Sequence, residues 1–143
     1  MAKIAFAEVS KQYKGASNPA VDAVTFEVPD GAICMLLGTS GSGKTTLLRM
    51  VNRLIEPTSG AILIDGQNIL AGNPIELRRS IGYVIQQVGL FPHMNIAENI
   101  SITARISGGW QHEALNQRVD ELLNLVGLPP AEYRRRFPRQ LSG

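Results

Sequence analysis

Eight consecutive residues, Gly38-Thr39-Ser40-Gly41-Ser42-Gly43-Lys44-Thr45, place glycines, a lysine and a hydroxyl side chain in the order G-x-x-x-x-G-K-[ST]. These residue types at this spacing specify one chemistry. Glycines let backbone N–H groups converge on an anion, and a helix opening at Lys44 adds the partial positive charge of its N-terminus. Lys44 can then reach the β- and γ-phosphates of a nucleotide, and the Thr45 hydroxyl can ligate Mg²⁺. At average residue usage the pattern arises by chance in only a few of about 10⁵ windows. A flexible Gly/Ser loop would also not require its neighbours, an apolar run before it and an amphipathic segment after it. The residues point to nucleotide binding through the phosphates.

The flanking segments must position that loop. Ala32 to Leu37 has no polar alternation, as expected of a strand buried on both faces of a parallel sheet, with Cys34 as a core residue. Leu47, Leu48, Met50, Val51, Leu54 and Ile55 recur at helical spacing and predict a helix over 44–55, ended by the Glu56 to Gly60 stretch. Upstream, Ile4 and Phe6, then Val24, Phe26 and Val28, alternate with smaller or polar residues and predict two strands with one apolar face. Downstream, Ala61 to Ile64 reads as a strand closed by a tight Asp65-Gly66 hairpin turn. Asn73-Pro74-Ile75-Glu76 predicts a short capped helix, and Ile81 to Ile85 a strand. Asn95-Ile96-Ala97-Glu98 opens a helix to about Ile106, stopped by Gly108-Gly109. A further helix, about Gln111 to Val126, carries Leu115, Val119, Leu122, Leu123 and Val126 on one face and ends at Gly127. The order is β-rich, then α/β, then helical, without internal repeats.

Composition bounds the remaining classes. The chain has 143 residues, 44% hydrophobic and 18% charged, enough for one compact domain. Its longest apolar run, the six residues from Ala32 to Leu37, falls short of the roughly 20 needed to cross a bilayer. No secretory signal precedes it, so a soluble, intracellular chain is expected. A single cysteine cannot form an intrachain disulfide, and no Cys/His cluster exists to hold a structural zinc. A net charge of +2 does not by itself mark a nucleic-acid or membrane-surface binder. The excess lies late, in Arg134, Arg135, Arg136 and Arg139, which read as a solvated basic loop. Neither D-x-x-G nor N-K-x-D occurs, which argues against a GTPase. The 37 residues before the loop argue against a small nucleoside kinase.

The sequence resembles the ATP-binding subunits of ABC transporters, through several motifs in family order. Tyr13 lies 25 residues before Gly38, where the family's A-loop aromatic stacks on adenine. Ile81-Gly82-Tyr83-Val84-Ile85-Gln86, followed by Gly89-Leu90-Phe91-Pro92-His93, looks like the Q-loop, with Gln87 as an adjacent alternative to Gln86. Arg139-Gln140-Leu141-Ser142-Gly143 looks like the opening of the signature motif. The resemblance implies an α/β P-loop NTPase core and Walker A over 1–86, with an N-terminal antiparallel β subdomain. It implies the Q-loop continuation, the start of the ABC helical subdomain and the start of the signature motif over 87–143.

It further implies ATP held by Tyr13, Gly38, Thr39, Ser40, Gly41, Ser42, Gly43, Lys44, Thr45 and Thr46, and Mg²⁺ by Thr45 and Gln86. Gln86 would also contact the attacking water and, with Lys44, serve catalysis. Leu141, Ser142 and Gly143 would act on ATP bound to the opposite subunit. The implied partners are a transmembrane permease, a second ATPase subunit in a homodimer and, indirectly, a solute-binding protein, with no nucleic acid. The implied location is the cytoplasmic face of the membrane.

The family's Walker B pair, D-loop and switch histidine would follow residue 143. Asp65 is read as a turn residue, His93 as part of the Q-loop run and His112 as a solvated helix residue. The chain is therefore expected to be a truncated piece of the ATPase domain, with apolar sheet edge and face uncovered, that binds ATP and hydrolyses it negligibly. Asn52 to Gly60 and Glu76 to His93 look most like importers of quaternary-amine osmoprotectants: glycine betaine, carnitine, choline or proline. Two other classes stay open: a non-catalytic nucleotide-binding regulatory or assembly module, and a soluble ABC-type ATPase acting on nucleic acid or ribosomes.

Overall fold

A computed structural model describes residues 2–86 and 89–141. The chain divides into two compact units, Met1–Gly82 and Tyr83–Gly143.

The first unit is built on an antiparallel sheet. Strands β1 (Ile4–Lys11) and β2 (Val21–Val28) pair so that Ile4 faces Val28 and Phe6 faces Phe26. The two phenyl rings stack at 4.4 Å. Helix α1 (Lys44–Val51) follows, then β3 (Ser59–Ile64), the two-residue β4 (Gln67–Asn68) and α2 (Pro74–Ser80). The sheet order is β2-β1-β3-β4. Asp65 and Gly66 join β3 to β4 with φ values of 51° and 79°, the left-handed pair that a tight hairpin requires. Lys3 N donates to Asp65 Oδ1 at 2.8 Å, so the turn carboxylate is tied to the segment that leads into β1. Phe6, Val9, Val21, Ile62 and Ile69 bury one face of the sheet together with Leu47 and Met50 of α1, which seats α1 on the sheet.

Three expectations are corrected here. Residues 32–37 form no strand: Ile33, Met35 and Leu37 are 75–92% exposed, Cys34 is exposed, and Leu36 alone packs against the core. Residues 81–85 likewise form no strand, and Val84 is exposed. A strand buried on both faces exists only where neighbours satisfy its backbone groups, and neither run pairs in the described sheet. Helix α1 stops at Val51, four residues short of the predicted end. Arg53 takes a left-handed φ of 49°, Leu54 N donates to Arg49 O and Arg53 N to Met50 O. That bonding closes a helix as a Schellman turn, usually with glycine where Arg53 stands.

The second unit is helical: α3 (Ile96–Ser107), α4 (His112–Leu125), α5 (Pro130–Tyr133) and a single 3₁₀ turn at Pro138–Gln140. Ile96, Val119 and Leu123 form its core, with Tyr133 and Leu141 packed against them. Asn95 caps α3 reciprocally: Glu98 N donates to Asn95 Oδ1 at 2.9 Å, and Asn95 N to Glu98 Oε2 at 2.8 Å. Replacing Asn95 by alanine is expected to destabilise this unit by about 1 kcal/mol, seen as a lower urea midpoint at unchanged m.

Two of the four late arginines depart from the solvated basic loop expected of them, while Arg135 and Arg139 are exposed as expected. Arg134 donates to Asn116 Oδ1 at 2.8 Å and pairs with Asp120, while Arg136 pairs with Glu132 and lies 4.5 Å over the Tyr133 ring. Their carbonyls also serve α3: Ile96 N donates to Arg136 O at 2.8 Å and Ala97 N to Arg134 O at 3.1 Å. Two N–H groups of the first turn of α3, which have no partner inside the helix, are thereby satisfied.

Candidate functional site

The loop Gly38 to Lys44 carries left-handed or near-left-handed backbone at Gly41 (φ 83°) and Gly43 (φ 86°). At Gly43 the conformation also answers a close approach: a Cβ there would lie 2.3 Å from Ala20 O at the entrance to β2. Only glycine lets the loop turn this tightly against β2 and start α1 at Lys44. Gly43 caps α1 with no side-chain hydrogen bond, and the first turn holds no acidic residue. The helix therefore presents its N-terminal N–H groups and partial positive charge without a competing carboxylate.

Lys44 is folded back over this loop. Its Nζ donates to Thr39 O at 2.6 Å, Gly38 O at 2.8 Å and Ser42 Oγ at 3.1 Å. The three donors of the ammonium are thus turned toward the rim of the loop by neutral oxygens. Exchanging neutral acceptors for phosphate oxygens adds Coulomb attraction between opposite charges to hydrogen bonds that already have a charged donor. Ala20 and residues 41–46 line a cavity of about 140 Å³. Such a volume suits phosphate groups and is too small for a whole nucleotide, whose pockets run to roughly 300 Å³ and more. The donor set and the cavity fit a nucleotide triphosphate with its cation. Lys44 and the 41–46 backbone would hold the phosphates, and the exposed Thr45 hydroxyl would face Mg²⁺.

Tyr13 belongs to the same unit. Its ring is 42% exposed, and its hydroxyl stands 3.5 Å from Thr46 Oγ1. The segment is pinned by Gln12, whose N–H donates to Thr58 Oγ1 at 3.0 Å and whose Nε2 donates to Ala16 O at 2.9 Å. Tyr13, Thr46 and the phosphate loop are therefore brought together. Gln86 lies in the second unit, exposed, at a bend. Leu141 packs into the helical core of that unit, while Ser142, Gly143 and the alternative Gln87 lie outside the described residues.

Two residues that organise these loops were not singled out from sequence. Asn99 clamps the turn after the Gln86 segment: its Oδ1 accepts from Phe91 N at 2.7 Å, and its Nδ2 donates to the carbonyls of Phe91, Met94 and Asn95 at 3.0–3.1 Å. Leu90 and Phe91 stay exposed on that turn, with His93 edge-on to Phe91. Lys11 stands over the Tyr13 ring, 5.5 Å from its centroid. The period-2 spacing of Lys11 and Tyr13 was the available signal.

A larger concavity, about 590 Å³, surrounds the β3–β4 hairpin and α2. Two of its polar side chains serve local turns, Asn68 Oδ1 accepting from Leu70 N and Asn73 Oδ1 from Ile75 N, both at 2.9 Å, and Asp65 accepts from the distant Lys3 N.

The antiparallel sheet with a glycine-rich loop, an uncapped helix start and an invaginated lysine defines a P-loop nucleotide-binding protein. The family profile of the ABC transporter matches residues 21–143, and the chain belongs to that family. It is 51% identical over 136 residues to the glycine betaine/carnitine/choline transport ATP-binding protein OpuCA of Bacillus subtilis, covering 95% of this chain and 35% of that protein. It is 50% identical over 132 residues to the osmoprotectant import ATP-binding protein OsmV of Salmonella typhimurium, covering 92% and 34%. The chain thus spans about a third of the length of these curated relatives. Among solved structures it resembles the ATP-binding cassette MJ0796, in a dimeric post-hydrolysis state bound to ADP and Pi. The TM-score is 0.83 at 28% identity, over 97% of this chain and 63% of that one. No helix among the described residues is long and apolar enough to cross a membrane.

Proposed function

We propose that this chain is the ATP-binding part of an ABC importer ATPase subunit that energises uptake of a quaternary-amine osmoprotectant such as glycine betaine, carnitine or choline. The phosphate loop carries the nucleotide half of that reading, because Lys44 is already turned into a cradle set at an uncapped helix start. The solute half rests on the half-identity to the osmoprotectant and choline relatives over more than nine-tenths of the chain. Tyr13 takes the adenine on its exposed face, and Gln86 senses Mg²⁺ and water. The second unit, with the exposed Leu90 to His93 turn, meets the permease. Leu141 to Gly143 open the signature motif that serves the opposite subunit of a homodimer. Mg²⁺ supplies charge neutralisation at the β- and γ-phosphates when bound. The exposed runs 32–37 and 81–85 pair with strands supplied by the longer subunit, in keeping with the 63% share of the related cassette that this chain spans. The subunit then sits on the cytoplasmic face of the membrane through its permease.

The test is uptake of radiolabelled glycine betaine, carnitine and choline by cells whose own importers are deleted and which carry the full-length subunit with its permease and binding protein. ATP-dependent uptake of at least one of these, lost with Lys44→Ala, is expected. Uptake of none, with methionine transported instead, would overturn the solute assignment. Residues 1–143 alone are expected to turn over ATP negligibly; turnover comparable to the full subunit, abolished by Lys44→Ala, would contradict this.

A further inference from the structure

We infer that Lys11 is a positioning residue for nucleobase recognition: it holds the Tyr13 ring from one face and leaves the other face to the base. The inference rests on the proposed stacking of adenine on Tyr13. Lys11 ends β1, and the chain leaves the strand through Gln12 with Tyr13 two residues on, its ring beneath the Lys11 ammonium. The Lys11 ammonium is itself anchored, donating to Glu56 O at 2.7 Å, and stands 5.5 Å from the Tyr13 centroid. That distance lies within the range over which a cation is attracted to an aromatic face. The other restraint on the ring is weak, because Tyr13 Oη is 3.5 Å from Thr46 Oγ1, beyond the usual span of a hydroxyl hydrogen bond. The ring's orientation therefore depends on Lys11 more than on its own hydroxyl. A cation on one face also draws π-density toward itself, which favours stacking of an electron-rich purine on the opposite face. The 140 Å³ phosphate cavity is too small for the base, and the half-exposed Tyr13 ring, whose hydroxyl stands near Thr46 of that cavity, offers a face on which a base outside it can stack.

The experiment measures calorimetric affinities of the full-length subunit for MgATP and for inorganic tripolyphosphate with Mg²⁺, which shares the phosphates and lacks the base. Tyr13→Ala is expected to weaken ATP by about tenfold or more and leave tripolyphosphate unchanged. Lys11→Met keeps the stem and removes the charge, and is expected to weaken ATP by about threefold without moving tripolyphosphate. Lys11→Arg restores a cation over the ring and recovers ATP affinity, while Tyr13→Phe stays near wild type. If Tyr13→Ala lowers the ATP-to-tripolyphosphate ratio and Lys11→Met does not, the role of Lys11 is overturned and the stacking stands. Equal weakening of both ligands by Lys11→Met would show general charge or fold support and would also overturn it. If Tyr13→Ala leaves the ratio unchanged, the stacking fails and the Lys11 proposal falls with it.

Discussion

Lys44→Ala is expected to weaken MgATP binding by about 100-fold or more, because one or two hydrogen bonds between charged partners are each worth about 1.5–3 kcal/mol. Thermal stability should change little. Lys44 reaches the loop carbonyls of Gly38 and Thr39 and the Ser42 hydroxyl, none of them part of the buried cluster beneath α1. Titration calorimetry and a melting curve on the full-length subunit separate the two effects. An affinity within threefold of wild type would mean that the folded-back lysine is a strut of the loop and never meets the phosphates.

Gly43→Ala should fail differently. The added Cβ would stand 2.3 Å from Ala20 O, and the backbone there has φ 86°. The clash is with main chain at the start of β2 and cannot be relieved by a rotamer change, while the left-handed backbone adds a penalty of about 1–3 kcal/mol. The variant should lose about 3 kcal/mol of stability in total, with nucleotide affinity falling alongside it. The contrast with Lys44→Ala is diagnostic: one change removes a ligand contact at constant stability, the other removes the backbone path that aims the helix at the ligand. A Gly43→Ala subunit with wild-type urea midpoint would show that β2 and the loop can move apart, and that the tight approach is not required.

What could be read directly from the chain was local chemistry. The phosphate loop, the Asp65-Gly66 hairpin and the reciprocal cap of Asn95 and Glu98 are each specified within a few residues, because a turn needing positive φ or a helix start needing an acceptor selects its residue types on the spot. The alternation of Ile4, Phe6, Phe26 and Val28 likewise sufficed for an antiparallel pair, since one apolar face defines the register. The Schellman end of α1 is not legible in the sequence because Arg53 occupies a position where glycine is the usual signal. The roles of Asn99 and Lys11 are not legible either, because what they hold is defined by main-chain and ring geometry, not by their residue type.

Tertiary structure decided the rest. An apolar run says that a segment prefers burial, but a central strand also needs hydrogen-bonding neighbours from distant parts of a chain, and residues 32–37 and 81–85 have none in the described sheet. Of the four late arginines, which read alike in sequence, Arg135 and Arg139 stay exposed, whereas folding brings Asn116 and Asp120 to the Arg134 side chain and the open end of α3 to the carbonyls of Arg134 and Arg136. The chemistry of the phosphate loop was therefore written in consecutive residues, whereas burial, pairing and the support of the Tyr13 ring depended on partners that only the folded chain brings within reach.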